Sequence, residues 1–298
     1  MKAVRVHELG AAEVLRYEEV ADPKPEAGEA LVKIEAAGTI VDVGREVSGI
    51  KVGDRVAYGI SNGYGSYAEL SAVPSWHLFK LPNSISCQTA AAVMLQGMTA
   101  HYLTHSTYAV KSNDTVLVHA AAGGTGLLLV QMAKMLGARV IGTVSTEAKA
   151  QLARNAGADA AINYAEKDFA AEVSKLTGGK GVNVVYDSVG KDTFEKSLDS
   201  LAPLAALVIF GQASGPVPPF DTAVLNAKGS LSLSRPSLTH NVANRSDVQW
   251  RAGDLFKWIE AGKLKVKIDQ TYPLADAANA QRELESRRSV GKILLIPE

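Results

Sequence analysis

A single cysteine, Cys87, stands among 298 residues, so no disulfide can close within the chain and a thiolate-rich zinc site is excluded. Neither sign of charge is in excess. Lysine and arginine number 31, aspartate and glutamate 31, and a neutral total offers no field for nucleic acid or an anionic membrane as the main partner. The densest lysine run, Lys263, Lys265 and Lys267, alternates with apolar residues and reads as one solvated face of a strand. Long apolar runs are missing too: nothing approaches the ~18 uncharged residues of a membrane span. The N-terminal MKAVRVHEL is broken by charge before an apolar segment can build, so it reads as a strand and not as a signal peptide. These absences point to a soluble, cytoplasmic protein. Internal repeats and low-complexity tracts are also lacking.

What is present divides in two. Up to about residue 80, short alternating runs such as 30–34 and 55–58 are separated by turn signals at Pro23 and Pro25, Gly28, Gly53–Asp54 and 62–65. This half is β-rich. From about Thr89 the grammar changes to compact apolar runs at 116–118, 140–141, 160–162, 182–185, 204–210 and 231–233, with helical patterns between them. Strands apolar on both faces and alternating with helices predict a parallel sheet covered on both sides, and six such strands make a doubly wound Rossmann sheet. After Pro236 the sequence predicts a helix over 247–260, a strand over 266–272, a helix over 275–286 and a last strand over 292–296. With the six-stranded sheet already complete, these pieces are expected to return to the first domain. The expected division is therefore 1–97 plus 236–298 for the β-rich domain and 98–235 for the Rossmann domain.

The strongest local signal is residues 116–126, VLVHAAAGGTG, followed by the apolar helix LLLVQMAKMLGA. Strand, small-residue turn and helix in that order form the setting in which glycines serve a pyrophosphate. Gly123, Gly124 and Gly126 would let the backbone turn sharply and approach the ligand, while amides at the helix start point at it. The spacing departs from G-x-G-x-x-G. The next strand decides between the two nicotinamide cofactors. NAD-selective sites usually end it with an acid that binds the ribose 2′-hydroxyl. Here it ends in Val144, Ser145 and Thr146, with Lys149 one helical turn on, a hydroxyl and an ammonium suited to a 2′-phosphate. Glu147 is expected in the first turn of the following helix, where an acid favours the dipole. The reading is NADPH.

These residues resemble a known family. QGMTA at 96–100, HAAAGGTG at 119–126, GTVST at 142–146, INY at 162–164 and YDSVG at 186–190 are similar to the zinc-independent quinone oxidoreductases, the zeta-crystallin branch of the medium-chain dehydrogenase/reductase superfamily. FGQ at 210–212, LNAKGS at 225–230, SRPSL at 234–238, and the tail from ESR at 285–287 to GKILLIP at 291–297 extend the match. The N-terminal 1–6 and GDRVA at 53–57 belong to it as well. The resemblance implies a GroES-like β domain joined to the Rossmann domain, with a homodimer formed through the edge of the Rossmann sheet at 229–235. It also implies roles. The loop Gly123, Gly124, Thr125 and Gly126 would hold the pyrophosphate, and Ser145, Lys149, Tyr164 and Arg287 the 2′-phosphate. Asp187, Ser188 and Val189 would lie near the adenosine and ribose. Phe210, Gly211, Gln212, Leu233 and Arg235 would lie near the nicotinamide, with Thr99 beside its ring.

The chain departs from the family at one place. Relatives run from a segment like KIEAAG (33–38) through an asparagine-bearing loop, a helix and a proline-rich stretch before a second such segment leads into TIVDVG (39–44). Here Gly38 joins Thr39 directly, and the segment that supplies the substrate-side asparagine and tyrosine is absent. One wall of the substrate cleft is expected to be thinner. No metal is expected: His77, His101, His105, His119 and His240 lack ligand spacing with carboxylates, His101 and His105 being the one pair at i, i+4. Cys87 reads as a small hydrophobe. Without a metal or a dedicated acid, the chemistry falls to the cofactor, and Thr99 is the one candidate catalytic side chain. The expected activity is reduction of a small quinone by hydride or electron transfer from NADPH. The alternatives are an alkenal/enone or enoyl reductase, and a weakly active NADPH-binding protein.

Overall fold

The computed structural model describes residues 1–35, 37–60, 65–286 and 288–297. In chain order the strands and helices begin with β1 (Lys2–Val6), β2 (Leu15–Glu19), β3 (Glu29–Glu35), β4 (Ala37–Val43), β5 (Arg55–Ala57), β6 (Leu70–Pro74), β7 (Phe79–Lys80) and α1 (Cys87–Tyr102). Then come β8 (Thr115–Val118), α2 (Gly124–Met135), β9 (Arg139–Val144), α3 (Glu147–Asn155), β10 (Ala160–Asn163), α4 (Phe169–Thr177), β11 (Val182–Asp187), α5 (Phe194–Asp199), β12 (Leu201–Ile209), α6 (Ala223–Ala227) and β13 (Ser232–Ser234). The chain closes with α7 (Leu238–Asn241), α8 (Arg245–Glu260), β14 (Ile268–Pro273), α9 (Ala277–Glu285) and β15 (Lys292–Ile296). Two compact units result, Met1–Met98 with Val242–Glu298, and Thr99–Asn241, so the boundaries fall one residue and six residues later than 97/98 and 235/236.

The first unit is built on an antiparallel sheet in the order β6-β3-β4-β5-β7, with β1-β2 and β14-β15 as two further pairs. Alternation explains the sheet: Ala30, Val32 and Ile34 of β3 are buried with Ile40, Val56, Val73 and Leu78, while Lys33 and Glu35 face water. The break expected between Gly38 and Thr39 leaves no mark there. Both lie inside β4, opposite Ile34 and Lys33 of β3, and the register closes from Glu35 to Ala37. Strands β3 and β4 pair as far as Glu35 and Ala37, because the residues of both strands carry the alternation that puts their apolar side chains on one face. The lysine run corrects its expectation. Lys263, Lys265 and Lys267 are exposed, but they precede β14, which starts only at Ile268, and Leu264 between them is buried. The turn expected at 62–65 lies mostly outside the described residues, with only Gly65 inside.

The second unit is a parallel sheet in the order β10-β9-β8-β11-β12-β13. β8 is the first strand of the unit and lies between β9 and β11, so the winding reverses there and the carboxyl ends of β8 and β11 flank the reversal. Both sheet faces are covered, and Leu117, Ile141, Val185 and Leu207 are fully buried, as unbroken apolar runs require. Among the described residues, strand β13 pairs only with β12 and forms one edge.

Candidate functional site in the parallel-sheet unit

The loop from β8 into α2 turns at a residue other than the expected glycines. Ala120, with φ 49°, takes the left-handed conformation, whereas Gly123, the residue before α2, has φ −76°. Gly126 is required for a different reason. A Cβ there would sit 2.2 Å from the Ala120 carbonyl oxygen and 2.9 Å from Ala121 Cα, so the first turn of α2 presses directly on the loop. The loop is anchored by its own amides, Ala121 N–H donating to the Thr143 carbonyl (3.0 Å) and Gly123 N–H to that of Ala120 (2.8 Å). No side chain caps α2. The amides of Gly124, Thr125 and Gly126 therefore keep the open donors of a helix start, at the positive end of the dipole, where an anion fits.

Beside this loop the ends of β9 and β10 converge. Tyr164 follows β10 and donates its amide to the carbonyl of Val144, the last residue of β9 (3.0 Å), and its side chain is half exposed. Ser145 is half-buried just beyond Val144, and Thr146 caps α3 by accepting from the Lys149 amide at 3.2 Å. Glu147 stands in the first turn of α3, as expected, and its carboxylate is paired with Arg154 on the same helix. The strand tip thus presents Ser145, Lys149 and Tyr164 with no unpaired acid between them. Arg287, the fourth expected phosphate ligand, lies outside the described residues.

The remaining expected contacts sit on two turns stitched together. Val189 follows β11, and its carbonyl accepts from the Ser214 amide (2.9 Å) and hydroxyl (2.8 Å), while Ser188 accepts from Ala213 (3.1 Å). Gly211 fits because a side chain would meet the Ser188 carbonyl at 2.5 Å. Phe210 and Gln212 flank it, and Arg235, just past β13 and Leu233, donates to the Ile209 carbonyl at 3.2 Å. Asp187, expected near the adenosine and ribose, is fully buried with its carboxylate turned inward: Oδ1 accepts from the Val189 (2.7 Å) and Gly190 (3.0 Å) amides, and Oδ2 from Thr193 Oγ1 (2.7 Å). It shapes the turn that presents Ser188 and Val189. Thr99 is half-buried in α1.

His119, set aside by sequence reasoning for want of metal partners, is buried at the end of β8. Nδ1 lies 2.8 Å from Thr143 Oγ1 and Nε2 lies 3.0 Å from Ser197 Oγ, which is 3.3 Å from Asp187 Oδ2. Burial pushes the imidazole below its ordinary range, against the pull of the Asp187 charge. The only sequence signal was a polar residue ending an apolar strand. His101 and His105 stack ring on ring at 4.2 Å, and among the described residues no group of three or more His, Cys, Asp or Glu gathers as a metal site.

In the β-rich unit, Ile34 and Ala37, on the two sides of the hairpin turn, line a cavity of about 330 Å³ together with Tyr58, Tyr67, Leu95 and Lys292. Burial raises the Tyr67 phenol and lowers the Lys292 amine from their ordinary values. Among the described residues no helix is long and apolar enough to cross a membrane.

Two family models match the chain, an alcohol dehydrogenase GroES-like domain over residues 8–83 and a zinc-binding dehydrogenase over 124–251. A quinone oxidoreductase of Pseudomonas aeruginosa is 47% identical over 263 residues, 88% of this chain and 81% of that protein. The smaller share of the relative makes it the longer chain. A 2-haloacrylate reductase of a Burkholderia species is 44% identical over 271 residues, 90% of this chain and 81% of the other. The structure of Escherichia coli quinone oxidoreductase, solved as a complex with NADPH, superposes with a TM-score of 0.96 at 40% identity and covers both chains completely.

Proposed function

The chain belongs to the quinone oxidoreductase family of the medium-chain dehydrogenases/reductases, and we propose that it is an NADPH-dependent reductase of small quinones that works without a metal ion. One observation carries the cofactor assignment: a helix start whose N-cap glycine offers no side-chain cap stands beside strand ends bearing Ser145, Lys149 and Tyr164, with Glu147 of the first turn of α3 already paired to Arg154. The amides of Gly124, Thr125 and Gly126, with Gly123 before them, hold the pyrophosphate. Ser145, Lys149, Tyr164 and Arg287 take the 2′-phosphate, whose near-double charge rewards an ammonium and hydroxyl donors. Ser188 and Val189 face the ribose side. Phe210, Gly211, Gln212, Leu233 and Arg235 position the nicotinamide, which when bound supplies the hydride or electrons. The Thr99 hydroxyl, backbone amides and water donate hydrogen bonds to the oxygen that becomes negative in the acceptor, and water completes its protonation, so no dedicated acid is needed.

The protein is cytoplasmic, and it forms a homodimer through β13, whose short uncharged outer edge pairs with no other strand among the described residues. A second reading, reduction of an activated alkene, is favoured by the 44% identity to a 2-haloacrylate reductase. The resemblance sets the relatives' substrate-side segment against the direct join of Gly38 to Thr39, so acceptor selectivity is where this chain would depart from them.

The test has two parts. Calorimetric titration should show NADPH binding more tightly than NADH by about 1.5–3 kcal/mol, the worth of one charge-assisted contact, and Lys149→Glu should narrow that gap. NADPH consumption against a panel of quinones and activated alkenes then names the acceptor class. Equal affinity for the two nucleotides in the wild type sinks the cofactor assignment.

A further inference from the structure

Four polar side chains, Thr143, His119, Ser197 and Asp187, are at most 1% exposed and run as one hydrogen-bonded chain beneath the ends of β9, β8 and β11. Its polarity follows from one end. The Asp187 carboxylate can only accept, so the Ser197 hydroxyl donates to it; Ser197 then accepts from Nε2–H of His119, and Nδ1 accepts from the Thr143 hydroxyl. One neutral tautomer satisfies every member. A buried polar chain of this kind stabilises less than an apolar core of equal volume, but it fixes geometry, because each member has only one set of partners.

What it fixes is specific. His119 immediately precedes Ala120, where the phosphate loop turns, and its amide donates to the Tyr186 carbonyl of β11 at 3.0 Å. Thr143 stands two residues before Ser145, and its carbonyl holds the Ala121 amide. Asp187 directs the amides of Val189 and Gly190. Three segments assigned to the nucleotide thus leave from members of one chain. The Phe169 ring of α4 meets the His119 ring edge to face at 4.8 Å between centroids.

We propose that His119 is a positioning residue for the nucleotide: through Thr143, Ser197 and Asp187 it holds the 2′-phosphate strand end, the pyrophosphate loop and the ribose turn in mutual register. The proposal rests on the NADPH reading above.

The experiment titrates NADPH and NADH into the whole protein and its variants by calorimetry, with circular dichroism and thermal melting on the same samples. His119→Leu removes both links and should weaken NADPH at least about tenfold, the loss of one hydrogen bond to a charged group, while shrinking the NADPH-to-NADH preference. His119→Gln can accept from Thr143 through Oε1 and donate to Ser197 through Nε2, and should recover most of the affinity. Should His119→Leu not fold, Thr143→Val, which cuts a single link at nearly constant volume, decides: the nucleotide preference should fall. Folded variants that melt lower yet bind both nucleotides with wild-type constants would overturn the proposal, leaving the network a purely structural one. A wild type without preference for NADPH would instead overturn the cofactor reading.

Discussion

Gly126→Ala separates what the α2 turn does for stability from what it does for the ligand. Position 126 lies inside α2, where alanine is intrinsically better than glycine by about 1 kcal/mol. The added Cβ, however, meets the Ala120 carbonyl oxygen at 2.2 Å and Ala121 Cα at 2.9 Å, both backbone atoms that no rotamer change can move. Ordinary contacts of this kind settle near ~3.5 Å, so loop and helix must part by roughly 1 Å. Such overpacking costs about 1–3 kcal/mol, which the helix propensity partly offsets, and the melting temperature should fall only modestly. Affinity has no such offset. Moving the loop by about 1 Å takes one or two amides out of reach of the pyrophosphate, at about 1.5–3 kcal/mol each, and NADPH should bind roughly 10- to 100-fold more weakly. Gly123→Ala is the control: its Cβ meets the same oxygen at 3.2 Å with φ already −76°, and a shift of a few tenths of an ångström suffices, so its loss should be much smaller. Calorimetry and thermal melting on both variants make the comparison. If Gly126→Ala binds NADPH within about twofold of wild type, the loop is not the pyrophosphate site.

Stability should depend on pH through His119. Burial holds its folded pKa below 6.5, so between the two values the unfolded chain binds a proton the folded one does not, and stability falls as pH drops below about 6.5. His77, also lowered by burial, acts with the same sign, so urea unfolding of wild type and His119→Gln from pH 7.5 to 5.5 should show a smaller loss in the variant; parallel curves would refute the assignment. Elemental analysis should find no stoichiometric zinc, although one matching family model is named for zinc, and chelator-sensitive activity restored by zinc would refute the metal-free reading. Sedimentation at micromolar concentration should give twice 31.4 kDa, and a monomer would exclude pairing through β13.

The sequence by itself determined the two kinds of architecture and the six strands of the parallel sheet, because apolar periodicity is a local property and each strand of a covered sheet carries it in full. Glu147 at the start of α3 was legible for the same reason, as was the absence of an acid at the tip of β9. Other features waited for the tertiary structure. Nothing in AAAGG marks Ala120 as the residue with positive φ; its neighbours impose that conformation, with Ala121 held by Thr143 and Gly126 pressed against the loop. The resemblance put Asp187 near the adenosine and ribose, but a strand-end acid looks the same whether its carboxylate faces ligand or core; only the placement of the Val189 and Gly190 amides and of Thr193 shows it turned inward. The resemblance set a missing segment between Gly38 and Thr39, yet both residues lie within β4, opposite Ile34 and Lys33 of β3, because register is decided across strands and not along one. His119 shows the division most plainly. Its partners Thr143 and Ser197 lie 24 and 78 residues away, and only the pairing of β8 with β9 and the packing of α5 against the sheet bring them within hydrogen-bond reach.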